Sequence, residues 1–199
     1  MPNARSAREP NIEPATDHRS TNFLAQTGLI AACYAALTFL ISQVMGYLSW
    51  GLVQFRISEA LTVLPLFFPA AIPGLTLGCF ISNLLNLGMT GPLGMLDVVF
   101  GTLATMLGAL WTYRLRAHEK IALLGPVIAN ALIVPAYLPL ILKGLGIYTI
   151  PFTTIELETS YLLMYLFGVV SVALGQAAVV FGIGLPLVAV IRRALVPVQ

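Results

Sequence analysis

The stretch Phe23-LAQTGLIAACYAALTFLISQV-Met45 decides the fold class. It lies within 36 consecutive uncharged residues, between Arg19 and Arg56. An α-helix needs ~20 predominantly apolar residues to cross the hydrocarbon core of a bilayer. Composition extends the point to the whole chain: 9% of its 199 residues are charged and 58% are hydrophobic, against roughly 25% charged in ordinary soluble domains. Exposing that much apolar surface to water would cause aggregation, so the solvent is mainly the lipid bilayer.

Before this span, residues 1–22 are polar, rich in Arg, Glu and Pro, and contain no apolar run. They are expected to form a disordered cytosolic tail rather than a cleavable signal peptide, leaving a membrane domain over residues 23–195. After the span, the loop Gly46–Phe55 carries Tyr47 and Trp50, residue types that favour the bilayer interface. Beyond Arg56 and Glu59 come 37 uncharged residues reaching Asp97. Pro69 and Pro73-Gly74 divide this run into two shorter spans, Ser58–Phe68 and Pro73–Leu87, because proline disfavours helix at itself and just before it.

The Gly88–Gly94 turn leads to a fourth span, Met95–Tyr113, and then to a charged loop of Arg114, Arg116, His118, Glu119 and Lys120. A fifth span, Ile121–Leu142, contains Pro126, Pro135 and Pro139, tolerable where neighbours re-satisfy the freed carbonyls. A polar connection, Lys143–Glu158, precedes the last apolar run, which ends at Arg192-Arg193. The expected fold is an all-α integral membrane protein, a six-transmembrane-helix bundle. Both termini then share a side with Arg5, Arg8, Arg19, Arg114, Arg116, Lys120, Arg192 and Arg193, leaving Arg56 and Lys143 opposite. The positive-inside rule puts the N- and C-termini in the cytosol of a cell-membrane protein.

This topology sets Arg56, Glu59, Asp97, Glu156 and Glu158 near the external ends of the second, fourth and sixth spans. A charge at the bilayer centre costs roughly 2.5–3.5 kcal/mol even on the translocon scale, so groups at such depth pair or contact a ligand. Asn83, Asn86 and Tyr137 fall on the same outer half, with Asn130 and Gln176 nearer the middle. Each residue also has a plainer reading. Arg56 and Glu59, three apart, could pair at a helix start. Asp97 could cap a helix. Asn83 and Asn130 could be interhelical hydrogen-bond glue, and Glu156 and Glu158 solvated loop charges. Their convergence on one side nevertheless reads as a polar chamber near the outer surface.

Small residues form a second pattern. Ala31, Ala32, Ala35 and Ala36 give two overlapping small-xxx-small pairs, and Gly74 with Gly78 a third. Such spacing allows close helix approach, inside the bundle or against another membrane subunit. Cys33 and Cys79 lie in apolar segments, match no metal site, and read as packing residues. There is no Gly-x-x-x-x-Gly-Lys-Ser/Thr loop, no His-Glu-x-x-His and no Cys-x-x-Cys, and both histidines, His18 and His118, fall in cytosolic segments. The expectation is therefore no enzyme, no cofactor and no nucleic-acid partner. Energy for accumulation would come from ion coupling or a partner.

Four runs carry a resemblance: Val53-Gln-Phe-Arg56-Ile-Ser-Glu59-Ala-Leu-Thr-Val-Leu-Pro65; Ala71-Ile-Pro73-Gly74-Leu with Gly78-Cys79; Leu96-Asp97-Val-Val-Phe-Gly101-Thr-Leu-Ala-Thr105; and Pro126-Val-Ile-Ala-Asn130-Ala-Leu-Ile-Val-Pro135. Over residues 24–193 the chain resembles the QueT family, taken to be substrate-binding S components of energy-coupling-factor (ECF) importers for queuosine precursors. The resemblance implies a six-helix bundle that binds substrate near the external face. It also implies association with an ECF transmembrane coupling protein and two cytosolic ATPase subunits. In the wider class an alanine-rich motif on the first helix meets the coupling protein, and Ala31, Ala32, Ala35 and Ala36 match it in position and type. In its last helix this chain has Gly175-Gln176 where the family often carries Gly-Glu.

The implied ligand gives the polar set a chemistry. A deazaguanine presents a ring N–H beside an amino group, which one carboxylate accepts together. Its carbonyl suits an Asn or Arg donor, and an aminomethyl precursor adds a cation. On this reading Glu59 or Asp97 takes the guanine-like edge and Glu158 the cationic arm. Arg56 orders the carboxylates, Asn83 and Asn130 complete the edge, and Tyr161 stacks on the ring. Two alternatives stand beside it: an S component or autonomous facilitator for another vitamin-like micronutrient, and a ligand-free membrane scaffold.

Overall fold

The computed structural model describes residues 18–46, 55–147 and 161–195. Most of the expected tail, the loop bearing Tyr47 and Trp50, and the segment bearing Glu156 and Glu158 lie outside the described residues. Helix α1 runs His18–Met45 and so starts before the expected boundary at Phe23. A 3-10 helix, Ile57–Leu66, follows, then α2, Ala71–Leu85, and the single turn α3, Leu87–Thr90. A 3-10 turn at Pro92–Gly94 and a π-helical segment at Asp97–Gly101 lead into α4, Thr102–Arg114. Helix α5 spans Glu119–Gly144. Helix α6, Tyr161–Val179, continues through a π-helical segment, Val180–Gly184, into α7, Leu185–Leu195.

Four of these stretches are long and apolar enough to cross a membrane: Arg19–Met45, Pro92–Arg114, Glu119–Gly144 and Tyr161–Leu195. The second and third expected spans are the shorter apolar helices Ile57–Leu66 and Ala71–Leu85. At ~2.0 Å per residue the 3-10 helix is ~20 Å long, and α2 at 1.5 Å per residue is ~22 Å. Neither alone matches the ~30 Å hydrocarbon core. Their shortness follows from Pro65, Pro69 and Pro73, which close the stretch around residue 70 to continuous helix.

Cross-contacts fix how the helices run. Thr27, early in α1, donates to the Ala70 carbonyl at 3.3 Å, and Ser42, late in α1, bonds Asn86 Oδ1 at 3.0 Å. Helices α1 and α2 are therefore parallel, and the 3-10 helix is the return stroke between them. Trp111 Nε1 donates to the Ile121 carbonyl at 3.1 Å, and Arg192 pairs with Glu119. Arg19, Arg114, Arg116, Lys120, Arg192 and Arg193 thus gather at one end. Arg56 and Lys143 stand toward the other.

Two local features explain the packing. A Cβ at Gly78 would lie 2.7 Å from the Ala31 carbonyl and 2.9 Å from Tyr34 Cβ, so only glycine lets α1 and α2 approach this closely. In α5, Pro126 has no N–H for the Ala122 carbonyl. The Thr112 hydroxyl lies 3.2 Å from that oxygen and takes its place. Around the bundle, leucines and valines such as Leu29, Leu40, Leu132, Leu174 and Val190 face outward. At its centre the 3-10 helix buries Ser58, Glu59, Ala60, Thr62, Val63 and Pro65. Polar groups inside and apolar groups outside are the arrangement lipid requires.

Candidate functional site

The site forms at the start of the 3-10 helix, where Arg56 and Glu59 enter the bundle. They expose only 5% and 0% of their surface, and Asp97 exposes 9%, so none of the three is a solvated surface charge. Arg56 Nη2 lies 3.2 Å from Asn83 Oδ1 and 3.4 Å from Asp97 Oδ2. Its Nη1 is 4.0 Å from Glu59 Oε1. The helix-start pairing of Arg56 with Glu59 is therefore the looser contact, and the guanidinium bridges to α2 and to the π-helical segment.

Two tyrosines complete the carboxylates' surroundings. Tyr34 donates its hydroxyl to Glu59 Oε1 at 2.5 Å, and Tyr137 donates to Asp97 Oδ1 at 2.5 Å. Asn83 Nδ2 donates to the Asp97 backbone carbonyl at 2.9 Å, which orients its own Oδ1 toward Arg56. Beneath them, the Thr105 hydroxyl lies 3.3 Å from Cys79 Sγ and 3.1 Å from the Gly101 carbonyl. Five elements supply these groups: α1, the 3-10 helix, α2, the 97–114 helix and α5.

Asp97 does not act as a helix cap. The helix already runs from Pro92, and the Asp97 carboxylate accepts from Tyr137 and Arg56, on other elements. The π-helical bulge begins at Asp97 and returns to α-helix at Thr102. Such bulges re-aim the side chains around them. Gly101, at its end, leaves room for the carboxylate, since a Cβ there would sit 2.5 Å from Asp97 Oδ1.

The electrostatics are unbalanced. One guanidinium faces two carboxylates, and among the described residues two buried polar atoms, Arg56 Nε and Glu59 Oε2, have no hydrogen-bond partner. Leaving a buried charged group's atom unmet costs at least ~1–3 kcal/mol. The cluster thus holds one spare donor and one spare acceptor, which a polar group presenting both could satisfy.

Of the expected site residues, the structure brings Arg56, Glu59, Asn83 and Asp97 together. It does not bring Asn130 or Tyr161 to them. Asn130 is buried, but its Nδ2 donates to the Pro126 carbonyl on its own helix at 3.0 Å. Tyr161 is 58% exposed and donates to the Ala136 carbonyl at 2.5 Å. Glu158 lies outside the described residues. The alanine set divides: Ala31 and Ala35 are buried, whereas Ala32 and Ala36 are exposed. Tyr34, Cys79, Thr105 and Gly101 join the site without having been expected there. Tyr34 carried one readable signal, a hydroxyl far from the interface that requires a partner.

Neither a curated protein nor a solved structure matches the chain. A family model described as QueT transporter matches residues 24–193, which include the whole polar cluster and all of the bundle except the first turns of α1 and the last two residues of α7. The chain is a multi-pass membrane protein and belongs to the QueT transporter family.

Proposed function

We propose that this chain is the S component of an ECF-type importer. It captures a queuosine precursor of the 7-deazaguanine type at the external face of the cell membrane. Inward release depends on the transmembrane coupling protein and two cytosolic ATPase subunits. The observation that carries the reading is the unbalanced cluster: one buried Arg56 between Glu59 and Asp97, with Glu59 Oε2 and Arg56 Nε unpartnered among the described residues.

A deazaguanine's adjacent ring N–H and amino group suit the open Glu59 carboxylate, and its carbonyl suits Arg56 or Asn83 as donor. A protonated aminomethyl arm would offset the surplus negative charge. Glu158 remains the proposed second carboxylate for that arm. The external location is supported by the basic residues at the opposite end of the bundle. Coupling is assigned to the outward face of α1, where Ala32 and Ala36 are exposed. Ala31 and Ala35 serve the same helix from inside by seating it on α2. The sequence has no phosphate-binding loop, so ATP is hydrolysed by the partners.

The test is thermal unfolding of the purified chain in detergent against a panel of deazaguanines and common vitamins. Saturable stabilisation by a deazaguanine alone supports the reading. Stabilisation by an unrelated vitamin, or by none of the panel, overturns the assignment of substrate. Co-purification with coupling and ATPase subunits tests the assembly. Uptake by vesicles holding this chain alone would contradict it.

A further inference from the structure

On the outside of the bundle, α4 and α5 leave a groove of about 550 Å³ between them, with Arg114 at one end. Gly125 and Ala129, one turn apart on α5, keep its floor bare. Trp111 forms a wall: its indole packs on Gly125, where a Cβ would lie 2.5 Å from Trp111 Cδ1. Its Nε1 is fixed by the Ile121 carbonyl at 3.1 Å. Beneath the groove the helices touch, and a Cβ on Gly108 would lie 2.8 Å from Pro126 Cα. The groove is thus a furrow between neighbours, poorly shaped for a third helix ~10 Å across.

Length and charge identify the occupant. From Gly125 to Ile133 the furrow runs ~12 Å along α5, close to the ~15 Å depth of one leaflet's hydrocarbon. Its mouth lies at the basic end of the bundle. Glu119, the acid of that connection, is engaged by Arg192, and Arg116 stacks over Tyr113 at 4.2 Å. Among the described residues Arg114 has no ion-pair partner, and it lines the furrow where a headgroup would stand. We propose that the α4–α5 furrow binds one anionic phospholipid, its acyl chain over Gly125 and Ala129 and its phosphate on Arg114.

The experiment uses the full chain with Trp50→Phe, which leaves Trp111 as the remaining tryptophan. Its fluorescence is titrated in mixed micelles with dibrominated phosphatidylglycerol or dibrominated phosphatidylcholine. A basic side chain at a membrane surface favours anionic lipid about five-fold, so half-quenching should need about five-fold less phosphatidylglycerol. Arg114→Gln should bring the two lipids to the same midpoint. Ala129→Phe, which fills the furrow, should weaken quenching by both. Equal midpoints in the parent protein would mean ordinary annular lipid and overturn the proposal. So would a preference that survives Arg114→Gln, or the absence of quenching by either lipid, as when the furrow is closed to lipid.

Discussion

Replacing Gly101 by alanine adds one methyl group at a point where the cluster has no space. The new Cβ would lie 2.5 Å from Asp97 Oδ1, 3.1 Å from Asn83 Nδ2 and 3.2 Å from Tyr137 OH. Ordinary carbon–oxygen contacts begin at ~3.3 Å, so the Asp97 carboxylate must move. It is short, and held by Tyr137 at 2.5 Å and Arg56 at 3.4 Å, so moving breaks at least one of those contacts. A lost hydrogen bond to a charged group costs ~1.5–3 kcal/mol, and overpacking adds ~1–3 kcal/mol. Glycine to alanine within a helix otherwise stabilises by ~0.5–1 kcal/mol.

The net expectation for Gly101→Ala is a loss of ~2–5 kcal/mol. Unfolding in mixed micelles with rising denaturing detergent, followed by circular dichroism, measures it. Gly28→Ala is the internal control, because a Cβ there meets nothing within 4 Å; it should be neutral or slightly stabilising. In an Asp97→Ala background the Gly101 effect should largely vanish, since the two sites share one clash. A Gly101→Ala protein as stable as the parent would refute the geometry derived for Asp97.

Other expectations follow from the same contacts. Arg56→Met leaves Glu59 and Asp97 buried without their shared cation and should destabilise by ~3–5 kcal/mol, measured by the same unfolding assay. Asn130→Leu removes a bond to its own helix, worth ~0.6 kcal/mol on membrane-protein scales. It should leave ligand affinity unchanged in a calorimetric titration. Ala35→Leu should destabilise the isolated chain by forcing α1 off α2, whereas Ala36→Leu should leave its unfolding midpoint unchanged and reduce co-purification of the coupling subunit.

The scarcity of charge made much of this legible in the sequence. Arg56 and Asp97 are separated by 41 residues, yet between residues 20 and 113 the only other charge is Glu59, so a carboxylate and a guanidinium at membrane depth have few partners but each other. That requirement brings them together without any local motif. Depth was harder to read than face. Asn130 and Tyr137 are seven residues apart and share a side of α5, but two helical turns, ~10.5 Å, separate them. Only Tyr137 reaches Asp97, and Asn130 turns to its own backbone.

Tyr34 is hidden in the sequence because its aromatic ring blends with the apolar residues around it, while the small residues that bring it inward belong to another helix. The 3-10 geometry of 57–66 and the π-helical bulge at 97–101 left no signature either. Over so few residues, periods near 3.0 and 3.6 place the apolar side chains on similar faces, and tertiary packing decides between them.

The proposed hold of Glu59 and its neighbours on a deazaguanine is measured by calorimetric titration of an aminomethyl-deazaguanine into the purified chain and into Glu59→Gln, which keeps side-chain volume and removes the charge. One saturable site is expected in the parent, weakened at least about ten-fold by Glu59→Gln, in line with ~1.5–3 kcal/mol for a hydrogen bond to a charged group. Equal affinity in the two proteins, or no saturable heat in the parent, would contradict it.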